Sequence, residues 1–134
     1  MTLRDIRERP DSLSLLYELL AERPPEAAIS HKAMPSWDEH TAFVWSEPYC
    51  RWFLIEVEDA IVGAIYLTKA DEVGVAIFAA HRGKGYAEAA VKALMAAEPR
   101  KRYLANVAPG NAASHRLWAK LGGTVIQHTY EVLP

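Results

Sequence analysis

The chain has 134 residues, about half of them apolar, and a formal net charge of −2 with acidic and basic residues intermixed. That length suits one hydrophobic core, so a single domain over residues 1–134 is expected, with no basic stripe for nucleic acid. No apolar run reaches the ~18 residues of a membrane span and the first residues lack the plan of a signal peptide, which points to a cytoplasmic protein with no membrane partner.

Thr2 to Ile6 reads as a short strand. Asp11 or Ser12 can cap a helix whose Leu13, Leu16, Tyr17 and Leu20 follow helical spacing, and Pro24-Pro25 stops it. A second helix starts near Ser36, with Asp38 and Glu39 in its first turn, and ends at Ser46-Glu47-Pro48. The one cysteine, Cys50, permits no intrachain disulfide and is expected to be a half-buried small hydrophobe. Trp52 to Val57 and Ile61 to Leu67 then read as strands joined by Glu58-Asp59-Ala60, an antiparallel hairpin, and Val73 to Phe78 as a third strand after Asp71. A glycine-rich run, His81 to Ala87, leads into a helix with Ala87, Ala90, Val91, Leu94 and Met95 on one side and Lys84, Glu88 and Lys92 on the other. Arg100-Lys101-Arg102 reads as a solvated turn, with a contact to a ligand's phosphate as the alternative. Tyr103 to Val107 reads as a strand, Pro109-Gly110-Asn111 as a turn ending in an N-cap, and Gly122-Gly123 as the stop of the last helix. Thr124 to Val132 reads as a final strand. The order β-α-α-β-β-β-α-β-α-β defines an α+β fold with a mixed, mostly antiparallel sheet flanked by helices.

The stretch His81-Arg82-Gly83-Lys84-Gly85-Tyr86-Ala87 carries the most chemistry. A strand, a glycine turn and a helix start in that order build an anion cradle, because glycine lets the backbone approach a ligand and the first helical N–H groups are unpaired. A P-loop needs G-x-x-x-x-G-K-S/T, which is absent. A dinucleotide fingerprint fails at its third small residue, where Glu88 stands. What remains is R-x-x-G-x-A, formed by Arg82, Gly85 and Ala87. Downstream, Asn111 is followed by Ser114, Leu117, Trp118, Lys120 and Gly122.

On these two motifs the chain resembles the GNAT family of N-acetyltransferases, from about Arg51 to the C-terminus. Its pyrophosphate loop is Q/R-x-x-G-x-G/A, and its later helix carries asparagine, a small residue, an apolar residue, tyrosine, lysine and glycine at the same spacing. The resemblance implies a GNAT fold with acetyl-CoA as cosubstrate and a small-molecule primary amine as acceptor. By that likeness, Arg82, Gly83, Lys84, Gly85, Tyr86 and Ala87 hold the pyrophosphate. The pantetheine arm lies between strands Val73–Phe78 and Tyr103–Val107, where Asn106 bonds it. A free N–H of Phe78, or of its neighbours Ile77 and Ala79, faces the thioester oxygen. Asn111, Ser114 and Trp118 complete the cofactor contacts.

Glu72, where the third strand of the trio begins, is the expected base, and His31, His40 and His115 are the other titrating candidates. His31, His40 and Trp52 fall where relatives build their acceptor pocket. Trp118 replaces the family's tyrosine, so it and Ser114 are expected to bond the departing thiolate rather than protonate it; Tyr130 is expected to be a packed or surface aromatic, with a substitute acid as the alternative. The stretch Ile29-Ser30-His31-Lys32 with Trp37 and His40 is loosely similar to enzymes acting on nucleotide-linked amino sugars. With some eleven residues after Gly123, the family's further C-terminal strand is expected to be missing or merged with the last one, and a dimer can cover the edge this leaves, so monomer and homodimer both stand. Also open are a non-catalytic acetyl-CoA sensor or subunit, an enzyme acting on a protein amine, and a binding domain unrelated to CoA. No His, Cys or carboxylate spacing suggests a metal site.

Overall fold

The computed structural model describes residues 1–24 and 33–134. Its elements are β1 (Thr2–Asp5), α1 (Ser12–Glu22), α2 (Trp37–Trp45), β2 (Arg51–Val57), β3 (Ala60–Leu67), β4 (Val73–Ile77), α3 (Tyr86–Ala97) and α4 (Ala112–Lys120), with 3₁₀ turns at Ile6–Glu8 and Ala79–His81. The four strands form one antiparallel sheet in the order β1-β2-β3-β4.

Register assigns each side chain to a face, since directly opposite residues point the same way. Trp52, Tyr66 and Gly74 form one such row and Leu54, Ala64 and Ala76 the next. This face takes α1 and α2, through Leu16, Leu19 and Val44. The other face presents Phe53, Ile65 and Val75, with Leu67 and Val73 beside them, and takes α3 through Ala90, Val91 and Leu94. Each large aliphatic side chain so buried contributes about 1.5–3 kcal/mol. The result is helices on both sides of one sheet.

Local signals account for the helix ends. At α2, the Ser36 hydroxyl accepts from the Glu39 N–H at 3.1 Å and the Glu39 carboxylate accepts from the Ser36 N–H at 2.9 Å, a reciprocal capping box. At α4, the Asn111 side chain accepts from the Ser114 N–H at 3.2 Å. The Glu88 carboxylate pairs with Lys92 at 3.1 Å and Lys120 at 2.9 Å, tying α3 to α4.

Two expected strands do not form. Residues 103–107 make a single parallel bridge, Leu104 to Glu72, in which Val73 donates to the Leu104 carbonyl and Leu104 to that of Asp71, both at 2.8 Å. Residues 124–132 belong to no strand. Cys50 is exposed rather than half-buried, and Arg100 is not simply solvated, since its guanidinium pairs with Asp71 at 3.2 Å.

Candidate active site

The glycine loop has the backbone its sequence requires. Gly83 and Gly85 take φ of +77° and +81°, left-handed values that side-chain-bearing residues rarely adopt. A Cβ at either position would meet nothing within 4 Å, so the loop is open to solvent. Gly85 is the N-cap of α3 and offers no side chain to its first N–H groups. Those amides keep their donor capacity for an anion, with the positive end of the helix dipole behind them. Arg82 is anchored beside them: its Nε donates to the Ile77 carbonyl at 3.0 Å.

Strand β4 runs into this loop, and its hydrogen bonds decide which amides are available. In an antiparallel pair, alternate residues bond to the neighbouring strand and those between face away. Phe78 donates to the Val62 carbonyl at 2.8 Å, and Thr68 donates to that of Glu72 at 2.9 Å. With Gly63 opposite Ile77, this parity turns the N–H groups of Val73, Val75 and Ile77 to the outer edge. Val73 meets Leu104 there. Past that bridge β4 makes no further pairing with residues 105–107, which leaves the edges of Val75 and Ile77 beside a gap. The expectation for Phe78 and Ala79 therefore fails: the Phe78 amide is bonded to Val62, and the Ala79 amide donates to the Glu22 carboxylate at 2.7 Å. Ile77 keeps the geometry, and Val75, missed in the sequence, shares it.

Glu72 sits at the vertex of that gap. Its carboxylate accepts from Asn106 Nδ2 at 2.5 Å and from the Thr68 hydroxyl at 3.4 Å. Asn106 thus orients Glu72, a role different from the one expected of it. By parity Glu72 shares the face of Gly74 and Ala76, toward α1 and α2. On that face the Tyr49 and Tyr66 rings stack with centroids 3.9 Å apart, and Trp52 and Phe43 abut Tyr49 edge-on at 4.7 and 5.9 Å. Burial pushes both phenols' pKa values up; at Tyr66 the negative charge of Glu72 adds to the rise, while the Tyr49 hydrogen bond and the Arg23 charge oppose it.

Gly74 is the seat of Tyr66. A Cβ there would lie 2.1 Å from the Tyr66 ring and 2.4 Å from its hydroxyl. Gly74→Ala is therefore expected to displace the phenol and to raise the acceptor KM about tenfold, at a stability cost of about 1–3 kcal/mol. Steady-state kinetics with saturating donor checks this; an unchanged acceptor KM places the acceptor elsewhere.

The remaining sequence candidates are dispersed. His40 is 2% exposed, its Nε2 lies 2.9 Å from the Leu13 carbonyl, and its ring packs against Tyr17 and Trp37. It ties α2 to α1 and is not part of the cluster of Phe43, Tyr49, Trp52 and Tyr66. His31 lies outside the described residues. Trp52 joins the aromatic cluster, Trp118 is half-buried against the α3-side core, and Ser114 is half-buried on α4. Tyr130 is exposed. A cleft of about 390 Å³ opens where α2 leads into β2, lined by Arg9, Trp45, Tyr49 and Trp52 among others, but neither Glu72 nor any loop residue borders it. Among the described residues, no three His, Cys, Asp or Glu side chains cluster as metal ligands and no helix is long and apolar enough to cross a membrane.

A sheet layered with helices, a glycine turn opening a helix with no side-chain cap and a strand edge left free beside it define the fold and its candidate site. The family profile described as the acetyltransferase (GNAT) family matches residues 13–123, and the chain belongs to that family. Solved structures share the fold. A domain from Methanocaldococcus jannaschii is 19% identical, with a TM-score of 0.80 over 97% of this chain and 92% of that one. The protein yncA of Salmonella typhimurium, solved with its cofactor acetyl-CoA, is 19% identical, with a TM-score of 0.65 over 91% of this chain and 78% of that one. A chimera of the spermidine N-acetyltransferase SpeG of Vibrio cholerae with hSSAT is 20% identical, with a TM-score of 0.71 over 96% and 84%. No curated protein sequence matches the chain.

Proposed function

We propose that this chain transfers an acetyl group from acetyl-CoA to the primary amine of a small molecule, with both substrates held at β4. The parity of that strand supports the reading best. Its outer-edge amides at Val75 and Ile77 face the donor gap, while Glu72, one residue before the strand, shares the sheet face of the aromatic cluster around Tyr66. Donor and base thus meet at one strand without competing for the same backbone groups.

The residues present fit the cosubstrate. Arg82, Gly83, Lys84, Gly85, Tyr86 and Ala87 hold the diphosphate, through open left-handed glycines and uncapped helical N–H groups. The Val75 and Ile77 edge takes the pantetheine arm as a sheet takes an added strand. From Ile77 back to Glu72 the chain spans about 16 Å, so an arm anchored at the loop points its acyl end toward the base. Acetyl-CoA supplies the activated acyl group as a thioester; everything else is positioning and proton transfer.

Glu72 accepts the proton of the amine, which an alkyl amine otherwise keeps at neutral pH. Asn106 and Thr68 hold the carboxylate in place. An outer-edge amide of β4 stabilises negative charge on the carbonyl oxygen. Trp118 and Ser114 stand nearest by sequence motif to the departing thiol. An indole donates a hydrogen bond but no proton, yet a thiol of pKa about 8.5 leaves as an anion at neutral pH for only about 2 kcal/mol. Tyr49, Trp52 and Tyr66 form an aromatic wall on the face that carries Glu72, which suits a compact amine.

A panel of amino sugars free and nucleotide-linked, polyamines, amino acids and peptide N-termini tests this, with thiol release and product mass as readouts. Acetylation of a small-molecule amine is expected. Modification of peptides alone makes the acceptor a protein, and acetyl-CoA binding without turnover makes the chain a sensor.

A further inference from the structure

The link between β4 and the glycine loop has little of its own to hold it. It is a single 3₁₀ turn, Ala79–His81, and Phe78 at its N-cap offers no side-chain acceptor. Ala79 and Ala80 are exposed, so apolar burial does not fix the turn either. The missing cap comes from 57 residues away, where the Glu22 carboxylate accepts from the Ala79 N–H at 2.7 Å.

Glu22 is the last residue of α1. Leu19, one turn earlier, is buried in the core between α1 and the sheet, and helical spacing puts Glu22 on the same side, at the end of β4. Its main-chain carbonyl, at the negative end of the helix dipole, receives Arg82 Nη2 at 3.5 Å. Arg82 Nε meanwhile donates to the Ile77 carbonyl at 3.0 Å. One residue of α1 therefore touches the turn at both ends.

This turn spaces two contacts proposed for the donor. On one side lies the Ile77 edge amide, for the pantetheine arm; on the other lies the loop of Gly83 and Gly85, for the diphosphate. A ligand gripped at both places binds well only when their separation is right. We propose that Glu22 is a positioning residue for acetyl-CoA, fixing the Ala79–His81 turn and so the distance from the β4 edge to the diphosphate loop. The inference rests on the reading of residues 82–87 as the diphosphate site. Its sign is distinctive. Removing a carboxylate beside an anion site tightens binding on Coulomb grounds alone, whereas loosening the turn weakens it.

Calorimetric titration with acetyl-CoA and steady-state kinetics test the proposal. Glu22→Ala is expected to raise the Kd and KM for acetyl-CoA about tenfold, with kcat at saturating donor within about twofold. Glu22→Gln drops the charge but keeps an oxygen for the Ala79 N–H, and is expected to bind at least as tightly as the parent. The Arg82 contact is to main chain and survives both. Ala79→Pro supplies a second route. Phe78, at φ −56° and ψ 143°, already has the extended backbone that a residue before proline needs. The ring removes the N–H that Glu22 holds and stiffens the first position of the turn by itself. In that background Glu22→Ala is expected to change donor affinity by less than about twofold.

Unchanged or tighter binding by Glu22→Ala, an equal loss in Glu22→Gln, or an undiminished loss in the proline background overturns the proposal. A parallel fall in kcat and Tm makes Glu22 a general structural residue and overturns it too. A parent that does not bind acetyl-CoA at all brings down the reading of the loop together with this inference. Binding by the parent alongside any of the other failures leaves that reading standing.

Discussion

Glu72→Gln is expected to lower kcat about 100-fold or more while leaving the Kd for acetyl-CoA within about twofold. The substitution is close to isosteric and keeps an oxygen for the Asn106 amide, now 2.5 Å from the carboxylate, so the vertex of the gap stays closed. What disappears is basicity. The amine then has to lose its proton to water before it attacks, and general-base catalysis of this kind is worth 10²–10⁴ in rate. Donor affinity should hold, because the proposed diphosphate contacts lie beyond the far end of β4. Thiol release gives kcat and calorimetric titration gives Kd. Unchanged turnover removes Glu72 from the mechanism; a parallel loss of donor affinity makes it a structural residue of the gap.

The features of this site that the sequence made legible are those whose physical cause is local. Ser36 and Glu39 announce α2 because both halves of a capping box lie within one turn. Gly83 and Gly85 announce the loop because a left-handed backbone selects glycine wherever the chain goes next. The strands were a different matter. Residues 103–107 and 124–132 have the composition of strands, but a strand exists only with a partner, and composition does not say whether one is within reach. One bridge at Leu104 is what the first segment obtains. The direction of each β4 amide was hidden for a related reason. It follows from register with β3, where alternation turns the carbonyls of Val62, Ala64 and Tyr66 toward β4, so that Val62 accepts Phe78. A count along β4 alone cannot distinguish Phe78 from Ile77. His40 fails as a pocket residue by the same logic: the packing of α2 on α1 buries it against Leu13, Tyr17 and Trp37.

Gly85→Val is expected to abolish measurable acetyl-CoA binding, a rise in Kd of about 100-fold or more, in a protein that remains folded. Crowding is not the reason, since a Cβ at 85 meets no atom within 4 Å. The backbone is. At φ of +81° a β-branched residue is strained by about 1–3 kcal/mol, and the exposed loop relieves the strain by rotating to negative φ. That rotation swings the first amides of α3 away from their common focus and breaks the bond from Ala89 to the Gly85 carbonyl, 3.1 Å long here. Because residues 82–85 are exposed and pack on nothing in the core, the rest of the fold is spared. Thermal unfolding separates the two effects. Acetyl-CoA at 100 times its Kd stabilises the parent by about 2.7 kcal/mol, and the valine variant is expected to gain nothing while its ligand-free Tm falls by only a few degrees. Gly85→Asn is the control, since asparagine enters the left-handed region far more readily, and it is expected to keep most of the ligand stabilisation. A valine variant that binds as the parent does would put the diphosphate somewhere other than this loop. Equal failure of the valine and asparagine variants would instead show that the missing side chain, rather than the backbone angle, is what the ligand requires at position 85.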